Sequence, residues 1–98
     1  MRDLEEIRLF RQSIGAYSEN TDKLIKLILS DIERLKRNPL IGLKLSNKTD
    51  ISTRLRYIIA GDYLTFFEII DERNIHVKRI LNGRTNYIQI LFRGKKSL

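Results

Sequence analysis

RLRYIIAGDYLTFFEIIDERNIHVKRILNGRTNYIQIL, running from Arg54 to Leu91, decides the fold of this 98-residue chain. Arg54–Ala60 is rich in β-branched and aromatic residues and reads as a strand. Gly61-Asp62 is a two-residue turn signal, and Tyr63–Ile70 resumes the strand pattern. Asp71-Glu72-Arg73-Asn74 is a second turn, followed by a third strand over Ile75–Leu81. Connections this short join antiparallel neighbours, so the stretch predicts a three-stranded β-meander.

The middle strand has an unusual pattern. Tyr63, Thr65, Phe67 and Ile69 form one face, and Leu64, Phe66, Glu68 and Ile70 form the other. Both are largely apolar, whereas an antiparallel sheet with one wet face alternates cleanly. Helices can cover one face; the second requires further chain, a partner, or exposure as an apolar patch. In the third strand, core-facing Ile75 and Val77 place Arg79 and Leu81 on the same side. Either a bulge resets the register after Val77, or Arg79 lies at a rim where the core ends.

Upstream of the sheet the periodicity is helical. Over Asp3–Ile14, Leu4, Ile7, Phe10 or Arg11, and Ile14 recur at three- or four-residue spacing, with Asp3, Glu5 and Glu6 in the first turn. Gly15 is a C-terminal stop. A second helix starts with Ser18, Asn20 or Thr21 as N-cap and carries Leu24, Ile25, Ile28, Leu29, Ile32 and Leu35 as its apolar stripe. Pro39 disfavours helical geometry at Asn38 and ends it near Arg37. Residues 38–52 read as a loop, with Lys44 and Lys48 as solvated loop lysines. Downstream, Asn82-Gly83-Arg84 is a turn, Thr85–Phe92 one or two helical turns, and Arg93–Leu98 a basic tail. The expected architecture is α+β. A helical hairpin (1–38) packs on a three-stranded antiparallel meander (54–81), with a basic C-terminal segment (82–98) containing a short helical turn, all in one domain.

Composition narrows the function classes. Hydrophobic residues make up 42% and charged residues 32%, in the range of a folded globular chain. No apolar run reaches the roughly 18–20 residues that span a bilayer, so no membrane partner is expected. The opening MRDLEEIRLF is too acidic for a secretory signal. With no cysteine there is neither a disulfide nor a thiolate zinc site, which makes a cytoplasmic location the simplest expectation. The net charge is +7. Residues 1–50 hold 10 Lys/Arg against 8 Asp/Glu, and residues 51–98 hold 9 against 4. The excess therefore sits on the sheet and tail, and favours an anionic partner: nucleic acid or an acidic protein segment.

Catalytic templates are missing. His76 is the single histidine and alternates with Ile75 and Val77 in a strand, so a histidine-pair metal site is ruled out and no metal or cofactor is expected. No paired carboxylates, phosphate-cradling glycine loop or nucleophile elbow is present. What remains is a basic rim of Arg54, Arg56, Lys78, Arg79 and Arg84, with Tyr57, Tyr63 and Tyr87 nearby in sequence.

Several pieces of the chain, in their order, resemble the RelE/ParE superfamily of type II toxin–antitoxin toxins. They are Asp3-Leu4-Glu5-Glu6-Ile7, Asn38-Pro39 with Gly42, Tyr63-Leu64-Thr65-Phe66-Phe67, and the closing Lys78-Arg79-Ile80-Leu81-Asn82-Gly83-Arg84-Thr85-Asn86-Tyr87. The likeness covers nearly the whole chain. Such toxins usually begin with a strand before the first helix, whereas this sequence begins at the helix. Either the start lies upstream, or the form is shortened and leaves a sheet edge or groove open. RelE-like nucleases also resemble one another in placing an arginine just after the middle-strand tyrosine. Here Leu64 follows Tyr63, and a leucine cannot stabilise a developing phosphorane charge.

The ending is similar to that of the ParE branch. That resemblance implies a growth-inhibiting toxin that binds DNA gyrase through Arg54, Arg56, Lys78, Arg79, Asn82, Arg84 and Tyr87. It also implies neutralisation by an acidic, partly disordered antitoxin, for which Leu64, Phe66 and Ile70 are the expected contacts. Two alternatives stay open. A RelE-like endoribonuclease acting on ribosome-bound mRNA would use Arg56, Arg79 and Arg84 on phosphates, with Tyr87 stacking or assisting proton transfer. An inactive remnant would keep only antitoxin binding.

Overall fold

A computed structural model describes residues 2–92 of the chain. Met1 and the expected basic tail, Arg93–Leu98, lie outside the described residues. Helix α1 spans Arg2–Ser13 and α2 spans Ser18–Arg37. The strands are β1 (Leu43–Lys44), β2 (Arg56–Ala60), β3 (Tyr63–Asp71) and β4 (Asn74–Asn82), and α3 covers Tyr87–Phe92. The sheet is antiparallel in the order β1-β2-β3-β4. The α+β class with an N-terminal hairpin and a C-terminal helical turn matches expectation. The strand number does not: there are four, because Leu43 and Lys44 pair with Tyr57 and Arg56 from within the expected loop.

Local chemistry explains most boundaries. After α1, Gly15 takes φ +78°, while its N–H and that of Ala16 bond to the carbonyls of Gln12 and Arg11. This is a Schellman closure, which needs a left-handed residue at that point. None of the expected caps of α2 is used: Tyr17 occupies the cap position and makes no side-chain cap bond. Thr21 is instead buried, where its hydroxyl accepts from Arg11 Nε at 2.9 Å and joins the two helices. The α2 helix ends at Arg37, one residue earlier than Asn38-Pro39, as the proline requires.

Ala60 pairs with Tyr63 across Gly61-Asp62, and only Gly61 has positive φ (+59°), as a type II′ hairpin turn demands. In the second hairpin, the Asp71 carboxylate accepts from the Arg73 amide and the Asn74 side-chain amide, both at 2.9 Å. Those bonds, the Arg73 amide first, hold the Asp71 carboxyl below its ordinary pKa. The register between β3 and β4 shifts so that Phe66 faces Arg79 and Phe67 faces Val77, which leaves Lys78 as the extra residue of a bulge. The bulge, one of the two alternatives for Arg79, is what the chain adopts.

The sheet has a core on each face. On the helix side, Ile7, Ile28, Ala60, Tyr63 and Ile80 are buried together, with Leu4, Leu24, Ile32 and Val77 packed against them. On the other side, Leu45, Leu55, Tyr57, Leu64, Phe66 and Leu81 form a second cluster beneath Tyr87, Ile88, Ile90, Leu91 and Phe92 of α3. The chain itself therefore covers the second apolar face of β3. Among the described residues no helix is long and apolar enough to cross a membrane.

Two buried side-chain groups, Arg56 Nε and the Thr65 hydroxyl, have no hydrogen-bond partner among the described residues. Thr65 is 1% exposed, and its hydroxyl makes no hydrogen bond among the described residues. An unsatisfied buried hydroxyl costs about 1–3 kcal/mol. Thr65→Val keeps the shape and removes the group, so it is expected to raise stability by about 1 kcal/mol, or roughly 4–8 °C in Tm. Thermal unfolding measures this directly; an unchanged or lower Tm would mean that the hydroxyl is satisfied in solution.

Candidate functional site

The residues of the expected basic rim do not share one cleft. Arg79 is engaged by α1: its Nε and Nη2 donate to the Asp3 carboxylate at 2.9 and 3.2 Å. The Ile80 N–H donates to the same carboxylate at 2.8 Å. Asp3 is buried, and its contact holds the Arg79 guanidinium's pKa above the usual arginine value. Asp3 thus does more than complement a helix dipole, because it clasps α1 to the outer strand of the sheet. Arg79 is a structural ligand of that carboxylate.

Lys78 is exposed in the bulge and borders a small groove with Arg2, Glu6 and the Asp3–Arg79 pair. Arg56 is half-buried on β2, and its Nη2 donates to the Gly42 carbonyl at 2.9 Å, tying β2 to the residue before β1. Arg54 is exposed just before β2 and lines a groove with Lys44 and Arg56.

The Asn82–Thr85 turn is rigidly built. The Arg84 N–H donates to Asn82 Oδ1 at 2.8 Å, and Thr85 Oγ1 donates to the Asn82 carbonyl at 2.6 Å. Gly83 N–H reaches back to the Asp62 carbonyl in the first hairpin at 2.8 Å. Asn82 therefore shapes the turn, and Arg84 projects from it as an exposed cation. It lines a groove of about 580 Å³ between the turn and α1, whose apolar wall includes Phe10 and Ile14, 54% and 62% exposed.

Tyr87 belongs to the opposite side of the sheet. Its ring packs on Phe66 with centroids 5.3 Å apart, and Phe66 packs in turn on Tyr57 at 6.1 Å. Above them lies Lys48, whose Nζ is 5.2 Å from the Tyr57 ring centre and 5.5 Å from that of Tyr87. The Tyr87 hydroxyl is the main influence that raises the Lys48 pKa, against the opposing effect of desolvation. Lys48 is exposed, as a solvated loop lysine is expected to be. The structure makes it an organised cation over two aromatic faces, which only long-range closure of the 45–55 segment brings about.

Of the three residues expected to meet an antitoxin, Leu64 and Phe66 are core residues, 5% and 0% exposed, covered by α3 and Leu45. Ile70 is 55% exposed at the second register shift of β3. The larger exposed apolar surface is on α1 and the residues after it, at Leu9, Phe10, Ile14 and Tyr17.

The four residues named for nuclease chemistry, Arg56, Arg79, Arg84 and Tyr87, are likewise dispersed. Arg79 and Arg84 border α1, Arg56 is bound at the β1 end, and Tyr87 opens α3 and packs on the second core. The described residues contain no group of three or more His, Cys, Asp or Glu side chains placed to hold a metal ion.

A family model described as the ParE toxin of the type II toxin–antitoxin system, parDE, matches residues 1–87. Among curated proteins none matches the chain.

Proposed function

We propose, from the premise that this chain belongs to the ParE toxin family of type II toxin–antitoxin systems, that it inhibits DNA gyrase by a protein–protein contact centred on Arg84. Membership of the family implies an antitoxin partner. The observation that carries the reading is the Asn82–Thr85 turn. Hydrogen bonds fix its backbone, so Arg84 is presented at the rim of a groove with an apolar wall, with little backbone ordering left for binding to pay. An arginine beside apolar surface that binding desolvates is a typical hot spot. Lys78, bordering α1, adds positive field that steers an acidic partner toward this side of the chain.

A poison acting by contact needs no acid–base pair, and none is assembled among the described residues. The nuclease alternative would need its arginines and Tyr87 around one phosphate, whereas they are distributed around α1, the β1 end and the α3 core. The antitoxin is the natural occupant of the α1 side. Phe10 and Ile14 replace the buried Leu64 and Phe66 as the apolar contacts for its acidic, apolar-dotted segment.

Inducible expression in bacteria tests this, with growth, DNA-damage response and mRNA integrity read from one culture. Growth arrest with an induced damage response and intact mRNA is expected. Arg84→Ala should weaken gyrase affinity about 30-fold, the equivalent of a hot-spot loss near 2 kcal/mol, and relieve arrest at matched protein levels. Codon-phased mRNA cleavage without a damage response would favour the nuclease. Folded wild-type protein that causes no arrest would leave an antitoxin-binding remnant.

A further inference from the structure

The β1 end of the sheet carries a charge arrangement that neither the turn nor the gyrase reading uses. Lys44 and Arg56 are directly opposite in the β1–β2 ladder, so their side chains leave the same face. Like charges so placed destabilise a strand pair. Arg54 adjoins them, and the three cations line a groove of about 320 Å³ with Ser46, Thr53, Leu55 and Ile69. Among the described residues no carboxylate lines it. Among the described residues none of the three makes an ion pair, whereas Arg2, Arg8, Arg34, Lys36 and Arg79 each do. Arg56 Nη2 is committed to the Gly42 carbonyl, yet its Nε is buried without a partner among the described residues. A lysine on an outer strand can serve simply to discourage edge pairing. That accounts for Lys44 alone, because β2 is paired on both sides.

We propose that this groove binds a phosphate group of a nucleic-acid backbone. The Arg54 guanidinium and the Lys44 ammonium supply donors in the fork-and-point geometry that phosphate oxygens accept, and Arg56 adds positive charge beside them. The Ser46 and Thr53 hydroxyls add neutral donors, and the Leu55 and Ile69 walls limit competition from water. Binding removes the repulsion between Lys44 and Arg56 that the fold otherwise sustains. A polyanion also gains from the overall +7 charge, which a single free phosphate uses far less. The site is separate from Arg84 and independent of the gyrase reading, so a failed toxicity assay leaves it standing.

The test measures binding of the purified full chain to a short fluorescein-labelled DNA duplex across a salt series. Lys44→Gln/Arg54→Gln removes two cations that hold nothing else in place among the described residues. Lys23→Gln/Lys26→Gln removes equal charge from the exposed side of α2 as the control. The groove variant is expected to lose at least about 10-fold in affinity at low salt, with a log–log salt slope shallower by about 1 per cation removed. The control should stay near wild type, and inorganic phosphate should displace the duplex at constant ionic strength. Equal losses in both variants would overturn the proposal in favour of diffuse attraction, as would failure of phosphate to compete. If poly-glutamate binding depends on Lys44 and Arg54 and duplex binding does not, the groove takes an acidic polypeptide instead. Circular dichroism of each variant confirms that the comparison is between folded proteins.

Discussion

Phe66→Ala is expected to lower the unfolding free energy by about 4 kcal/mol, within the range for emptying a buried aromatic site. Phe66 is fully buried and joins Tyr57 on one side to Tyr87 on the other. The loss has two parts: the transfer free energy of the ring, and the cavity that β2, β3 and α3 cannot fill. The helix above it is only six residues long, too short to hold itself in water without that contact. A domain of this size has about 5–15 kcal/mol of stability in all, so the variant should lie close to the threshold of folding. Guanidinium unfolding measures the change, and Phe66→Leu should restore most of it. A loss below about 1 kcal/mol would mean that the second core is loosely packed.

Asp3→Ala has the next largest expected effect, about 2–3 kcal/mol. Asp3 accepts three hydrogen bonds, two from Arg79 and one from the Ile80 N–H. Removing one partner of a buried pair costs about 3–5 kcal/mol. The lower figure applies because the Arg79 side chain is 40% exposed and water partly replaces the lost carboxylate. The orphaned Ile80 N–H adds to the cost. A double-mutant cycle isolates the clasp: once Asp3 is alanine, Arg79→Ala should cost only a few tenths of a kcal/mol. Full additivity of the two substitutions would show that the contact contributes nothing in solution.

The sheet was legible because its signals are local. Arg56–Ala60 and Tyr63–Asp71 are dense in β-branched and aromatic residues, and a Gly-Asp pair separates them. The two-residue strand β1 has no such pattern: Leu43 and Lys44 are extended only because Tyr57 and Arg56 pair with them. The α2 cap was misread because Ser, Asn and Thr are strong cap formers by propensity, yet packing placed Tyr17 there and buried Thr21 against Arg11. The candidate site was legible as a set of cations but not as an arrangement. Arg79 meets a carboxylate 76 residues away, and Lys48 meets two tyrosines through a loop whose path no local pattern encodes. The two apolar faces of β3 left open whether further chain, a partner or solvent meets the second one. They could not say that the chain's own last helix would cover it.

That cover has a consequence for how the molecule opens. The helix side of the sheet is held by two long helices and the Asp3 clasp, whereas α3 contains no fully buried residue. The two layers therefore have different opening free energies. Peeling α3 away is a sub-global excursion that leaves the hairpins intact, while releasing α1 and α2 amounts to global unfolding. Native-state amide exchange should register this as two tiers of protection, with Ile90 and its neighbours exchanging well before the amides of β3. Each excursion of α3 briefly bares Leu64 and Phe66, so a face that is core in the closed state is periodically available to whatever binds the open one.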